Sequence, residues 1–181
     1  MKNSISPKLM LSLLEIAFCL IVFLPISHCK VSYFPMGANL IDLTCKKTPY
    51  YDLCVISLNS DPRSYTADVA GLGVVMADVV KAKATDSLNK INELLTQSPG
   101  DRSLTTCVDY YKTVIEADVP LANEAFASGN AKLADQGMSD AGIVIDLCES
   151  QFSEGSSPLT DKNKAAHDVA AVGAGIARTM L

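Results

Sequence analysis

Four cysteines, Cys45, Cys54, Cys107 and Cys148, limit what this chain can become more than any other feature. In an oxidising space an even set of thiols closes into bridges, whereas in a reducing one the same residues hold metal or react. The N-terminus decides between these. Met1 to Lys8 carries Lys2 and Lys8 without an acid, and Leu9 to Pro25 is almost wholly apolar, the pattern of a secretory signal. Ser27 and Cys29 are small residues placed for cleavage before Lys30, with a cut nearer Ala38 as the alternative. A membrane anchor competes, but the run is short of about 20 spanning residues, carries Glu15 and ends at Pro25. Residues 1–29 are therefore read as a signal, and Cys19 and Cys29 leave with it.

What remains is one domain's worth of chain, expected to hold two disulfides. Of the 15 basic and 20 acidic side chains, Lys2, Lys8 and Glu15 go with the signal, leaving 13 against 19 and a net charge of −6. Nucleic acid is excluded as a partner, since phosphate binding needs a basic patch and none is present. A metal site is not expected either, because there is no CxxC pair and His167 is the one histidine of the mature chain. Trp is absent, and the apolar share is carried by Ala, Leu and Val rather than by aromatics, which favours packed helices.

Apolar spacing places those helices. Asn39 to Asn59 holds two short helical patterns with a corner at Thr48-Pro49, where Pro49 can open the second. After Asp61-Pro62-Arg63, a long helix is predicted over 64–97 on Val69, Leu72, Met76, Val79, Leu88, Ile91 and Leu95. A second follows Ser98-Pro99-Gly100-Asp101 and runs to Phe126, with a kink predicted near Glu116 to Pro120 because proline removes a backbone bond there. Ser128-Gly129-Asn130 ends it with a left-handed glycine cap. A third helix is predicted over 131–152 and a fourth over 160–181. Short turns make neighbours antiparallel, so the fold class is all-α: an up-down-up-down four-helix bundle (64–181) preceded by a helical hairpin (39–63).

The cysteines bear on this arrangement independently. Cys107 and Cys148 each lie about twenty residues from the Gly129 turn, hence roughly 30 Å along adjacent helices and level with each other. That favours a Cys107–Cys148 bridge and leaves Cys45 with Cys54. The two other pairings stay open, although each would pull the hairpin to the middle of the bundle twice.

Catalytic groups are scarce. His167 lies in a helical KAAHDVAAVG context beside Asp168 with no nucleophile pattern nearby, and Glu116 and Asp118 point to different helix faces. Gly71 and Gly73 sit inside a helix, where they permit close contact rather than cradle phosphate. No cofactor is implied, and the chain is not expected to be an enzyme.

The run TCKKTPYYDLC followed by SLNSDPRS and TADVAGL resembles the plant invertase and pectin methylesterase inhibitor family over essentially the whole mature chain. MADVVKAKA, YYKTVIEADVP, GNAKLADQGMSDAG and AVGAGIARTML bring it nearer to the cell-wall and vacuolar inhibitors of fructosidase within that family. The resemblance implies a disulfide-linked hairpin leading into a four-helix bundle, and a secreted inhibitor of plant acid invertase. Family members that act on invertase push a Pro-Lys-Phe turn into the substrate cleft. The matching segment here is Gly129, Asn130, Ala131, Lys132 and Leu133, with Lys132 as the cation for a cleft that works with paired carboxylates. Ala131 lacks the fixed φ of proline, and Leu133 the aromatic face. Two alternatives stand beside this expectation. One is inhibition of pectin methylesterase through a bundle face; the other is a small apolar-ligand carrier or storage protein with a lumen. The cell wall is the expected destination, with the vacuole as the alternative and no membrane association after cleavage.

Overall fold

The structure, a computed structural model, describes residues 36–153 and 156–181, with side chains from Asn39 onward. The expected signal over 1–29 and its cleavage before Lys30 lie outside the described residues. Among the described residues every regular element is helical. Two short helices, α1 (Met36–Cys45) and α2 (Tyr51–Asn59), form the hairpin, and the Cys45–Cys54 bridge closes it. At the corner both the amide and the hydroxyl of Thr48 donate to the Cys45 carbonyl, at 3.0 and 2.8 Å. Pro49 therefore belongs to the corner itself, and α2 opens after it rather than with it.

A 3-10 turn, Pro62–Tyr65, leads into the bundle. Asp61 caps it by accepting from the Arg63 amide at 2.9 Å, and the Arg63 guanidinium then bonds Asp61 and reaches Asp78 at 2.8 Å. The SDPR stretch thus staples the linker to the long helix. That helix, α3 (Val69–Gln97), starts later than the apolar pattern predicts, because Asp68 accepts from the Gly71 amide at 2.8 Å and fixes the start there.

The second bundle column is α4 (Arg102–Thr113), a π-helical turn (Val114–Asp118) and α5 (Val119–Ala127). The irregularity expected before Pro120 takes the form of this wider turn. Pro120 has no amide for the Glu116 carbonyl, and the Val119 amide instead reaches back to Val114. Then come α6 (Ala131–Glu149) and α7 (Thr160–Arg178), each ending about three residues short of the predicted limits at Phe152 and Leu181. Helix α6 packs against α7 and the α4–α5 column, and α3 packs against the same two neighbours, which closes a square.

Small residues set the spacing. A Cβ on Gly73 would overlap the Phe126 ring, and one on Gly137 would sit 3.0 Å from the Asp118 carbonyl oxygen and from Ala122 Cβ. Gly71, by contrast, faces only Ala67 and Asp68 of its own cap, so it mediates no contact between helices. A Cβ on Gly173 would sit 2.6 Å from Met138 Sδ, so the middle of the bundle, where a carrier would need its lumen, is occupied by Met138. Cys107 and Cys148 are fully buried and bonded, joining α4 to α6 as the level argument favours.

The far end is tied by polar groups. Tyr111 donates to Asn163 Oδ1 at 2.7 Å, and Asn163 in turn donates to Glu149. Burial pushes the Tyr111 phenol up to about 12, so it remains a donor at every relevant pH. Burial also pushes the Glu149 carboxyl up, but hydrogen bonds from Thr160, Asn163 and Ser157 together hold it below its ordinary value.

Candidate functional site

The turn from α5 to α6 is built from its own backbone. Gly129 has φ +72°, the left-handed conformation that a side chain would disfavour. The Asn130 amide bonds the Ala125 carbonyl at 2.8 Å and the Gly129 amide bonds Phe126 at 3.0 Å, the paired closure of a glycine-capped helix end. Asn130 then begins α6, its Oδ1 accepting from the Leu133 amide at 3.2 Å. One residue closes a helix and the next opens another.

This geometry sorts the five expected site residues. Gly129, Asn130 and Lys132 are exposed, and Leu133 is half-buried against the core. Ala131 is only 7% exposed. It occupies the first position of α6, where proline is well accommodated, so its part is to shape the turn rather than to touch a partner. The fixed φ that a proline would supply is replaced here by the glycine closure and the Asn130 cap. Among the described residues Lys132 makes no ion pair and no side-chain hydrogen bond, and it projects from the first turn of its helix.

The hairpin corner is carried on the adjacent helix. A Cβ on Gly175 would meet Thr48 and Pro49 at 3.2 Å, so the corner lies on the C-terminal half of α7, the half level with the start of α6. Between them runs a groove of about 210 Å³, lined by Pro49, Met138, Gly142, Ile143, His167 and Ala171. His167 is a partly exposed helix residue, as expected; its neighbour Asp168 pairs with Lys164 at 2.6 Å, while His167 Nδ1 faces Asp146 across the α6–α7 seam at 3.0 Å. Nδ1 makes no aligned hydrogen bond there. Among the described residues, no group of three or more His, Cys, Asp or Glu could hold a metal, and no helix is long and apolar enough to cross a membrane.

Among the described residues, Asp118, in the π-helical turn, is the one carboxyl held well above its usual range. Burial, and then the charge of Asp140 on α6, push it up to about 6, and its Oδ2 is buried without a partner. Its charged form costs the fold at neutral pH, and the folded state binds the proton more tightly than the unfolded chain. Stability therefore rises as pH falls through about 6 and levels off near the ordinary carboxylate value of about 4. Asp118 is only partly buried, so screening reduces the effect to about 1 kcal/mol. Asp118→Asn is expected to raise Tm by roughly 3 °C at about pH 7 and to leave it unchanged at about pH 4. An equal shift at both pH values would contradict this account.

Arg178, in the last turn of α7, is a residue of this region that sequence reasoning did not single out. It grips Asp135 in the second turn of α6, with Nη2 2.9 Å from Oδ1 and Nε donating to Oδ2 at 3.2 Å. The partners are 43 residues apart, and no local pattern signals such a pair.

Comparison with known proteins follows the same outline. Residues 39–174 match the family described as plant invertase/pectin methylesterase inhibitor. The cell wall/vacuolar inhibitor of fructosidase 1 of Arabidopsis thaliana is 43% identical over 135 residues, which is 74% of this chain and 65% of that protein, so the chain spans just under two thirds of this relative's length. The pectinesterase inhibitor of Actinidia deliciosa is 32% identical over 118 residues, 63% of each chain. A crystal structure of a mutant pectin methylesterase inhibitor from Arabidopsis superposes with a TM-score of 0.62 at 23% identity, covering 74% of this chain and 92% of that one, and so supports the fold alone. These relatives are named as inhibitors of enzymes, not as enzymes. With both bridges and most of the hairpin and bundle falling within the matched span, the chain belongs to the plant invertase/pectin methylesterase inhibitor family.

Proposed function

We propose that this chain is a secreted inhibitor of a plant acid invertase and that it acts by placing the α5–α6 turn in the substrate cleft. The observation that carries the reading is the state of Lys132: exposed, without an ion pair among the described residues, and mounted on a turn whose backbone bonds are already made. A glycosidase cleft with two nearby carboxylates offers an acidic counterpart, and a lysine delivered by a pre-ordered turn loses little entropy on entering it. The inhibitor of fructosidase from Arabidopsis, by its name, supports invertase as the target class. The same name supports the cell wall or the vacuole as the site of action. Residues 1–29 act as the export signal in this reading, leaving 39–63 as the hairpin and 64–181 as the bundle.

Pectin methylesterase is the second reading, favoured by the Actinidia relative. In that case a bundle face, not the turn, covers the target. Titration of the mature protein against a plant acid invertase and a plant pectin methylesterase, from about pH 4.5 to 7, separates the two. Inhibition of the invertase alone supports the first reading. Inhibition of the esterase alone overturns it.

A further inference from the structure

Lys132 and Asp135 are three residues apart at the start of α6, a spacing at which an ammonium and a carboxylate on one helix ordinarily meet. Here they do not pair. Asp135 directs both of its oxygens to Arg178 on α7, through Nη2 at 2.9 Å and Nε at 3.2 Å. Ser139, one turn further along α6, completes the arrangement: its hydroxyl donates to Asp135 Oδ1 and accepts from Arg178 Nη2, each at 3.2 Å. A planar guanidinium that satisfies both carboxylate oxygens competes well against one flexible ammonium. Asp135 is also the more enclosed partner, 25% exposed against 56% for Arg178, so its charge is the one more in need of a fixed counterion.

We infer that Arg178 is a positioning residue for inhibition: by occupying Asp135 it keeps Lys132 from folding back onto its own helix, and so leaves that ammonium available to a carboxylate of the target. This rests on the proposed role of Lys132. A purely structural role, in which Arg178 only fastens the end of α7 to α6, makes a different prediction. Under that role, loss of Arg178 harms the protein whatever stands at position 135. Under the positioning role, removing the Asp135 charge compensates for losing Arg178.

The test uses the full mature chain with Arg178→Gln, Asp135→Asn and the double variant. Two quantities are read. The first is the pH titration of the Lys132 Cε and Nζ NMR resonances in isotopically labelled protein, assigned by their loss in Lys132→Ala. The second is the inhibition constant against a plant acid invertase, measured well below the Tm of each variant. In Arg178→Gln, the Lys132 titration midpoint is expected to rise and inhibition to weaken about 1.5- to 2-fold, the size of a helix-surface ion pair. The double variant is expected to return both quantities to the parent values, although the α6–α7 pin is still missing. A Lys132 titration unchanged by Arg178→Gln overturns the proposal, and so does a double variant that inhibits as poorly as Arg178→Gln alone. The NMR measurement requires no target enzyme. If Lys132→Ala leaves inhibition intact, the turn reading fails, while the resonances still report whether Arg178 holds Asp135 away from Lys132.

Discussion

Replacing Lys132 with alanine is expected to weaken invertase inhibition by roughly 30- to 150-fold, the equivalent of about 2–3 kcal/mol, while leaving the fold untouched. The magnitude follows from the situation of the ammonium in a complex. It would be drawn out of water beside carboxylates, and removing one partner of such a pair leaves the other desolvated and unpaired. In the free protein the same side chain is exposed and unpaired among the described residues. A surface change of that sort alters stability by no more than about 0.5 kcal/mol. Its place in the first turn of α6, where the helix dipole mildly opposes a cation, makes any stability change small and favourable. The two measurements, inhibition constant and urea midpoint, should therefore separate completely. A variant that inhibits as well as the parent would show that the turn does not enter the cleft.

The second large effect belongs to the bundle. Converting Cys107 and Cys148 together to alanine is expected to cost roughly 4 kcal/mol in urea unfolding, because the bridge closes a loop of 41 residues in the unfolded chain. Tm should fall by about 10 °C or more. The Cys45–Cys54 bridge, with a separation of nine residues, is expected to contribute roughly 2.5 kcal/mol by the same reasoning. Alanine is the appropriate replacement, since serine would also bury a hydroxyl in fully enclosed positions. Because the Cys107–Cys148 bridge lies roughly 30 Å from the turn along the helices, inhibition should persist wherever the variant stays folded. A loss below about 1 kcal/mol would mean that the unfolded chain is already constrained in some other way.

Much of this architecture could be read from residue order. The turn residues Ser98-Pro99-Gly100 and Ser128-Gly129-Asn130 separate the bundle columns, and the cysteine levels follow once antiparallel helices are granted. The core stripe of α3 was only partly legible. The buried residues include Leu72, Val75, Met76, Val80, Ala84, Ser87 and Ile91, whereas hydropathy points to Val79 and Leu88, which are half-buried. Ala84 and Ser87 carry too little apolar signal to mark a face, yet they are the residues that fit where columns approach closely. Pro120 announced an irregularity but not its form, since both a sharp kink and a π-helical turn relieve a missing amide. At the turn, the glycine cap was legible from Ser-Gly-Asn, and Lys132 through family resemblance. The burial of Ala131, the facing of His167 toward Asp146 and the grip of Arg178 on Asp135 all depend on which residues of α6 and α7 come level. Spacing within one helix carries no information about that.

The turn at Gly129 and Asn130 closes all its backbone bonds locally, through Ala125, Phe126 and Leu133. Side chains at 127 and 132 can therefore change without loosening either helix. In evolutionary terms the tip is free to drift while the scaffold beneath it stays under selection for packing. Under the proposed role of the turn, a lineage built on this bundle can retune its fit to an invertase cleft by a few substitutions at the tip, with no intermediate that fails to fold.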